Sequence, residues 1–182
     1  MTSPTEMTGR LVRIRPLGAA DAEAHHRWNH DPEVMRWFDA AQPVPLERFL
    51  DGYAERRRIT ADDAGFGIEV IESGRLIGLV RLSDVDHDTL SAEVTIYIGE
   101  KNEWGKGYGP DAMRLVCRYG FETMGMHRIH LGVAVGNESA VRSYEKVGFV
   151  KEGRTRDTFR SREDGTWQDH FIMGLLEGEL VG

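Results

Sequence analysis

The sequence predicts a mixed α/β (α+β) fold, in which a mainly antiparallel sheet of seven strands is flanked by about four helices. Three observations predict it: several short segments alternate apolar and polar residues, others repeat apolar residues at three- and four-residue steps, and 182 residues suit one domain. One parallel crossover is expected, around the helix that follows a glycine-rich stretch at 105–109. We expect residues 1–8 to form a loose tail and residues 9–182 to form the single domain.

In the first hundred residues, strict alternation predicts strands and wider apolar spacing predicts helices. The stretch Glu72-Ser73-Gly74 marks a tight turn, so the strands on either side of it should form a hairpin. The next strand alternates Val94, Ile96 and Ile98 with polar residues. The predicted strands are 11–15, 66–71, 76–83 and 92–99, and the predicted helices are 21–30 and 46–58, with short helical turns at 32–38.

The second half of the chain begins with a helix that opens at Pro110, because proline is favoured at the first helical position, and continues to 124, before Gly125. Asn137 is a suitable cap for a helix at 139–147. Asp164-Gly165 is a favoured hairpin turn, which joins the two last strands. The predicted strands here are 129–135, 149–160 and 167–175.

Charge and composition exclude several classes of protein. The formal net charge is −7 and the isoelectric point is near 5.5, whereas a nucleic-acid-binding surface is basic. The dense basic run Arg56-Arg57-Arg58 closes a predicted helix, and we favour solvated cations that complement the helix dipole over a phosphate-binding patch. No apolar run approaches the length of a membrane span, and the start lacks the apolar segment of a signal peptide.

Cysteine and histidine usage indicate a cytoplasmic protein without a metal. The single cysteine, Cys117, fits a reducing compartment, and its place on an apolar helix face favours core packing over catalysis. His26 and His30 stand four residues apart, but the sequence offers neither the glutamate of a zinc-protease motif nor an obvious third ligand. We expect no metal, no nucleic acid and no membrane partner, and either a monomer or a homodimer.

The stretch from Glu100 to Val116 places glycines at 105, 107 and 109 between a predicted strand and a predicted helix. This unit directs free backbone N–H groups and the positive end of a helix dipole to one point, which favours a phosphate or pyrophosphate. A Walker A loop is excluded because Lys106 is followed by glycine, and a dinucleotide fingerprint because Pro110 replaces its third glycine. A plain glycine-rich turn without a ligand is the alternative.

Four segments together resemble the GCN5-related N-acetyltransferase (GNAT) superfamily: AEVTIYIG, WGKGYG, HRIHLGVAVGNESAVRSYEKVGF and DHFIMGLL. Within it, the chain is most similar to the branch that contains the ribosomal-protein N-terminal acetyltransferases and spermidine acetyltransferase. The resemblance covers nearly the whole chain and is strongest from 92 to 149. It implies a GNAT-like fold and transfer of an acetyl group from acetyl-CoA to a primary amine, such as a protein N-terminus, a polyamine or another small amine.

The resemblance also implies which residues bind acetyl-CoA. WGKGYG resembles the pyrophosphate loop, although Trp104 replaces the Gln or Arg of many relatives and Pro110 replaces their Thr or Ser. Residues 96–98 resemble the splayed strand that pairs with pantetheine, and Asn137 resembles the asparagine that bonds the pantetheine arm, with a helix cap as the alternative. The implied cofactor-binding residues are Ile96, Tyr97, Ile98, Trp104, Gly105, Lys106, Gly107, Tyr108, Gly109, Asn137 and Ser139.

Two catalytic residues follow from the same resemblance. Tyr144 matches the tyrosine proposed to protonate the leaving thiolate, with a core aromatic as the alternative. Glu93 is the candidate base for the amine, directly or through a water, with a surface carboxylate as the alternative. Asp169 is a weaker candidate base, and we favour a structural acceptor there.

Trp37 and Phe38 lie in the segment that forms the amine-side wall in the family, where substrate contact and core packing are both open. Two other functions remain open as well. One is a non-catalytic acyl-CoA-binding module, and the other is a transferase of a longer acyl chain.

Overall fold

The computed structural model describes residues 6–38, 44–161 and 164–182. These residues form a single sheet flanked by helices. The strands are β1 (Met7–Thr8), β2 (Val12–Pro16), β3 (Ala64–Val70), β4 (Leu76–Asp86), β5 (Ser91–Ile98), β6 (Arg128–Ala134), β7 (Val150–Arg160) and β8 (Trp167–Leu176). The helices are α1 (Ala22–Asn29), α2 (Leu46–Leu50), α3 (Tyr53–Arg56), α4 (Tyr108–Glu122) and α5 (Glu138–Glu145), with 3-10 turns at Ala19–Asp21, Lys101–Glu103 and Glu177–Glu179.

The eight strands lie in the order β1-β2-β3-β4-β5-β6-β8-β7. Among the described residues every neighbouring pair is antiparallel except β5 and β6, which are parallel and are connected through α4. A parallel pair needs a crossover, and the helix after the glycines supplies it. This confirms the predicted mixed α/β fold with one parallel crossover.

The sheet buries a different apolar cluster on each face. On one face, Phe66, Val80 and Val94 pack with the apolar side of α4, including Met113 and the fully buried Cys117. On the other face, a smaller cluster combines residues of the α1–α3 region with the sheet: Leu17, Ala22, Trp28, Val34, Met35, Tyr53 and Leu79. Neighbouring residues of a strand point to opposite faces, so β4 and β5 contribute to both clusters.

Two details differ from the sequence prediction. Met7 and Thr8 were expected in a loose tail but pair with Ile14 and Arg13 as an additional, eighth strand. The predicted helix 46–58 is two short helices, because Asp51 leaves the helical region and Gly52 adopts a left-handed φ of +59°. A strand of two residues and a single left-handed glycine hardly change the spacing of apolar residues. The sequence pattern therefore could not reveal either of them.

The described helices include none that is both long enough and apolar enough to cross a membrane.

Candidate active site

The sheet opens in its middle, between β5 and β6. Their pairing runs from Ser91 opposite Arg128 to Glu93 opposite His130 and stops there, although β5 continues to Ile98 and β6 to Ala134. β5 remains paired with β4 on its other side, and β6 remains paired with β8. Past this point, the facing edges of β5 and β6 are free to bond a ligand.

A cleft of about 730 Å³ runs through this opening. It brings together every predicted site residue except Lys106, whose Nζ pairs instead with Glu103 Oε2 at 2.8 Å. The predicted residues that line it are Trp37, Phe38, Glu93, Ile96, Tyr97, Ile98, Trp104, Gly105, Gly107, Tyr108, Gly109, Asn137, Ser139 and Tyr144.

The glycine loop has the geometry of an anion cradle. Gly105 and Gly107 have φ values of +75° and +87°, which only glycine adopts without strain, and Gly107 is the N-cap of α4. A Cβ on Gly105 or Gly109 would meet no atom within 4 Å, so the backbone borders open space in the cleft. The first N–H groups of an α-helix lack intrahelical partners, and such an N-terminus favours an anion.

Asp111 anchors this cradle to the sheet, a role that sequence reasoning missed. Its buried carboxylate accepts hydrogen bonds at Oδ2 from the backbone N–H of Leu11 at 2.7 Å and of Val12 at 3.0 Å. An acidic residue in the first turn of α4 is also favourable for the helix dipole. The only sequence signal was that acidic position, which is common to many helices.

Trp104 ties the glycine loop to the end of β5. Its Nε1 donates a hydrogen bond of 2.7 Å to the carbonyl oxygen of Ile98, and the side chain is 42% exposed. The tryptophan side chain therefore joins the loop to β5.

Asn137 caps α5 at the edge of the cleft. Its Oδ1 accepts from the backbone N–H of Ala140 at 3.3 Å and from Ser139 Oγ at 3.2 Å. The cap thus uses the side-chain oxygen, whereas the amide Nδ2 has two further N–H groups to donate. Capping and ligand binding are compatible roles for this residue.

Tyr144 lies on α5, where it lines the cleft and packs against the main core. Its ring centroid is 6.0 Å from that of Phe149. Burial raises the pKa of its hydroxyl to about 12, so the phenol keeps its proton at neutral pH.

Glu93 occupies the last paired position before the strands diverge, opposite Ser83 on β4 and His130 on β6. Burial raises the pKa of its carboxyl, the nearby Asp84 raises it further, and His130 opposes this effect. The His130 Nδ1 is buried, without a hydrogen-bond partner among the described residues. A carboxyl with a raised pKa is a stronger base than an ordinary glutamate, which suits proton transfer from an amine.

Aromatic side chains form the wall on the other side of the opening. Trp37 packs against the backbone of Gly136, where an added Cβ would lie 3.3 Å from the indole ring. The Phe38 ring meets Tyr97 edge-on at 5.7 Å and also contributes to the smaller core cluster, so cleft lining and packing coexist there. His170 and Phe159, which stack at 5.6 Å, also line the cleft and were not singled out by the sequence pattern.

The remaining sequence candidates make local contacts. Asp169 accepts hydrogen bonds from Arg154 Nε at 2.6 Å and from the backbone N–H of Asp157 at 3.0 Å, as expected of a structural acceptor. His26 and His30 each bond a backbone carbonyl oxygen, of Val44 and of His26 respectively. No group of three or more His, Cys, Asp or Glu residues in the described ranges is placed to hold a metal ion.

Comparisons with known proteins agree with this geometry. The family model described as "Acetyltransferase (GNAT) domain" matches residues 11–150. The chain is 35% identical over 175 residues to the putative ribosomal N-acetyltransferase YdaF of Bacillus subtilis, with 94% of each chain covered. It is 30% identical over 181 residues to the spermidine N(1)-acetyltransferase of Vibrio cholerae, covering 93% of this chain and 95% of the relative.

A solved structure has the same fold. The crystal structure of spermidine N-acetyltransferase from Vibrio cholerae in complex with CoA and spermine superposes with a TM-score of 0.82 at 29% identity, covering 93% of this chain and 97% of the other. The family match spans most of the chain, and its members use acetyl-CoA. The chain therefore belongs to the GNAT family of acetyltransferases.

Proposed function

We propose that this enzyme transfers an acetyl group from acetyl-CoA to a primary amine by direct attack of the amine on the thioester. One observation carries the proposal: Glu93, Tyr144 and the glycine loop line the same cleft, at the place where β5 loses its pairing with β6. The base, the acid and the anion cradle come from three separate stretches of the sequence, so their meeting in one cleft supports catalysis over binding alone.

In this proposal the glycine loop and α4 bind the diphosphate, and the free edge of β5 binds the pantetheine arm together with Asn137. A backbone N–H of residues 96–98 polarises the thioester carbonyl, as an oxyanion hole does. These interactions fix the acetyl group in the opening of the sheet. The aromatic wall of Trp37 and Phe38 confines the acceptor on the opposite side.

Glu93 removes the proton from the attacking amine, directly or through a water. A lysine-like or polyamine nitrogen with a pKa near 10.4 needs such a base more than an α-amine with a pKa near 8. Tyr144 gives its proton to the leaving sulfur, and its raised pKa keeps that proton in place until the thiolate forms. The C–N bond forms as the C–S bond breaks, and one proton moves at each end.

The experiment is acetyl-CoA turnover measured with purified protein across polyamines, aminoglycosides, amino acids and peptides that begin with Ala or Ser. Turnover with at least one amine, lost in Tyr144→Phe, is the expected result. Binding of CoA without turnover of any amine would instead favour an acyl-CoA-binding module. Faster turnover of a longer acyl-CoA than of acetyl-CoA would identify the transferase of a longer chain.

Two further points stay predictions here. The single cysteine, fully buried on α4, agrees with a reducing, cytoplasmic compartment. Whether the protein is a monomer or a homodimer is measured by light scattering at the concentrations of the assay.

A further inference from the structure

A second cavity, of about 210 Å³, adjoins the active-site cleft. It lies between the helices of the N-terminal region and strands β3, β4 and β5, and it shares Thr95 and Tyr97 with the cleft. We call it the arginine cavity, and its chemically important lining residues are His25, Arg57, Asp63, Gly65, Arg81 and Thr95.

The arginine cavity is positively charged in a protein whose net charge is −7. Three arginines line it, namely 56, 57 and 81, against a single carboxylate, Asp63. Arg81 already engages both oxygens of Asp63, with Nε at 2.7 Å from Oδ1. Arg56 donates only to backbone carbonyl oxygens, including that of Phe49 at 2.8 Å.

Arg57 has no such partner. Its Nε is buried without a hydrogen bond, and no carboxylate of the described residues forms an ion pair with it, although its side chain interacts with the Tyr53 hydroxyl. The guanidinium carbon lies 5.8 Å from the centre of the Tyr53 ring. Arg57 as a whole is half-buried, and a planar guanidinium binds a carboxylate through two parallel hydrogen bonds.

His25 adds no charge to the arginine cavity. Its buried ring bonds the Tyr53 hydroxyl through Nδ1 at 2.9 Å, and burial, together with Arg57, lowers its pKa to about 3. The imidazole is therefore neutral at physiological pH. Among the described residues, Arg57 is the arginine of this cavity that bonds neither a carboxylate, as Arg81 does, nor a backbone carbonyl oxygen, as Arg56 does.

The position of the cavity relates this cation to the reacting amine. Every second residue of β5 lies on the same face of the sheet, and Glu93, Thr95 and Tyr97 share one face. Along the strand, Thr95 is about 7 Å and Tyr97 about 14 Å from Glu93. Glycine at 65, across from Arg81 on the same face, leaves the floor of the cavity open. An extended acceptor of two to four residues' length therefore spans from Glu93 to the part of β5 that lines the arginine cavity together with Arg57.

We propose that the acceptor of this enzyme carries a carboxylate at that distance from its amine, and that Arg57 binds this carboxylate in the arginine cavity. The inference rests on the N-acetyltransferase activity proposed above and names its substrate class. The acceptor is either an ω-amino carboxylate or a peptide with an acidic side chain close to its N-terminus. A polyamine, which is cationic throughout, is disfavoured by the same charge.

The test compares matched acceptors at fixed acetyl-CoA. One arm uses 6-aminohexanoate and its amide, and the other uses the peptide amides Ser-Glu-Ala and Ser-Gln-Ala, with spermidine as a third acceptor. The carboxylate member of at least one pair should have a kcat/KM about tenfold to a hundredfold above its neutral partner, because a hydrogen bond to a charged group is stronger than a neutral one. The arm in which the carboxylate acceptor is preferred shows whether the carboxylate belongs to an ω-amino acid or to an acidic side chain of a peptide.

Arg57→Met should abolish this preference and leave turnover of the neutral partner within about threefold of the parent. Arg58→Met is the matched control, because it removes the same charge from an exposed neighbour outside the cavity and should keep the preference. Gly65→Val should fill the floor and weaken the preference with Arg57 still present. Its Cβ has room, since the nearest atom is Arg81 Cγ at 3.9 Å.

Equal rates for both members of each pair, faster turnover of spermidine, or a preference that survives in Arg57→Met would overturn the inference while leaving the transferase activity intact. If the parent acetylates no amine, the proposed function fails. Binding measured by calorimetry then tests separately whether the arginine cavity binds a carboxylate. The parent should then bind 6-acetamidohexanoate more tightly than its amide, and Arg57→Met should not. Equal binding of the two would refute the cavity as a carboxylate site.

Discussion

The two sides of the cleft are built in different ways. The proposed cofactor side, formed by the glycine loop, Asn137 and Tyr144, comes from two short stretches of sequence, and its glycines bring the backbone to the cleft. The acceptor side, formed by Trp37, Phe38, His170 and the arginine cavity, gathers side chains from segments far apart in the chain. A site that binds its ligand through backbone groups depends on the conformation of one short segment. A site that binds through side chains can acquire a different ligand by a single substitution.

Removal of the Tyr144 hydroxyl should have the largest effect on the cofactor side. Tyr144→Phe keeps the ring on Phe149 and deletes the proton, so kcat should fall by about 10²–10⁴-fold with little change in affinity for acetyl-CoA. Tyr119→Phe is the matched control, because this buried tyrosine packs on Phe66 away from the cleft and should keep the parent rate. Steady-state and single-turnover kinetics measure both, and a parental chemical step in Tyr144→Phe would make this residue a core aromatic.

Substitution of the loop glycines tests whether the backbone binds the diphosphate. Gly107→Val should weaken CoA at least tenfold, but its left-handed φ adds a folding cost of about 1–3 kcal/mol. Gly109→Val separates the two effects, because its Cβ meets nothing within 4 Å and would project toward the ligand instead. Calorimetry should show a similar loss of CoA affinity in a well-folded protein.

Gly153→Val is the control for that experiment. Gly153 also has open space around its Cβ, but it lies on β7 outside the cleft, so CoA affinity should be unchanged. If Gly109→Val bound CoA as tightly as this control, the glycine loop would be a plain turn.

The pH dependence tests Glu93 at the border between the two sides. Glu93→Gln should reduce turnover most at neutral pH and recover as the pH approaches the pKa of the amine, since hydroxide then replaces the base. Asp84→Asn removes the like charge that helps to raise the Glu93 pKa, so the acidic limb of kcat/KM should move to lower pH. A loss that is uniform with pH, together with an unmoved limb in Asp84→Asn, would return Glu93 to a structural role.

The smallest expected effect concerns stability. The pKa of Glu93 is raised in the folded protein, so the fold favours the protonated form and ionisation above that pKa costs stability. Glu93→Gln should therefore raise the Tm at pH 7 by a small amount, below about 4 °C, and the difference should vanish in acid, where the parent carboxyl is protonated. Thermal unfolding at the two pH values measures this, and a lower Tm of the variant at pH 7 would contradict a raised Glu93 pKa in the folded protein.

The contrast between the two sides also explains what the sequence could reveal. Glycine spacing, a capping asparagine and alternating strands are local patterns, so they predicted the sheet and α4, and every predicted site residue except Lys106 lines the cleft. Lys106 was included with its loop, but it pairs with Glu103, because an exposed cation takes the nearest carboxylate. The sequence places it in the loop but does not say where its flexible side chain points.

Arg57 shows the limit most clearly. The sequence pattern predicted that residues 56–58 are solvated arginines at the end of a single helix. Arg56 and Arg58 are exposed, as expected. The helix is interrupted at Gly52, however. The short helix α3 that follows buries Tyr53 and brings Arg57 into the arginine cavity. Arg57 is the half-buried member of the three consecutive arginines, and its position depends on that interruption of the helix, which periodicity did not detect.

The opening between β5 and β6 gives the protein two strand edges in the interior of a sheet. An exposed edge attracts other polypeptides and promotes aggregation, and proteins protect their outer edges for that reason. Here the edges with unpaired backbone N–H and C=O groups face a cleft bordered by α4 and α5. A slender ligand can therefore hydrogen-bond to a strand edge as a short additional strand would, but another protein chain cannot. Side chains along residues 94–98 can therefore vary without loss of this ladder, and proline, which removes an N–H donor, is the substitution that it tolerates least.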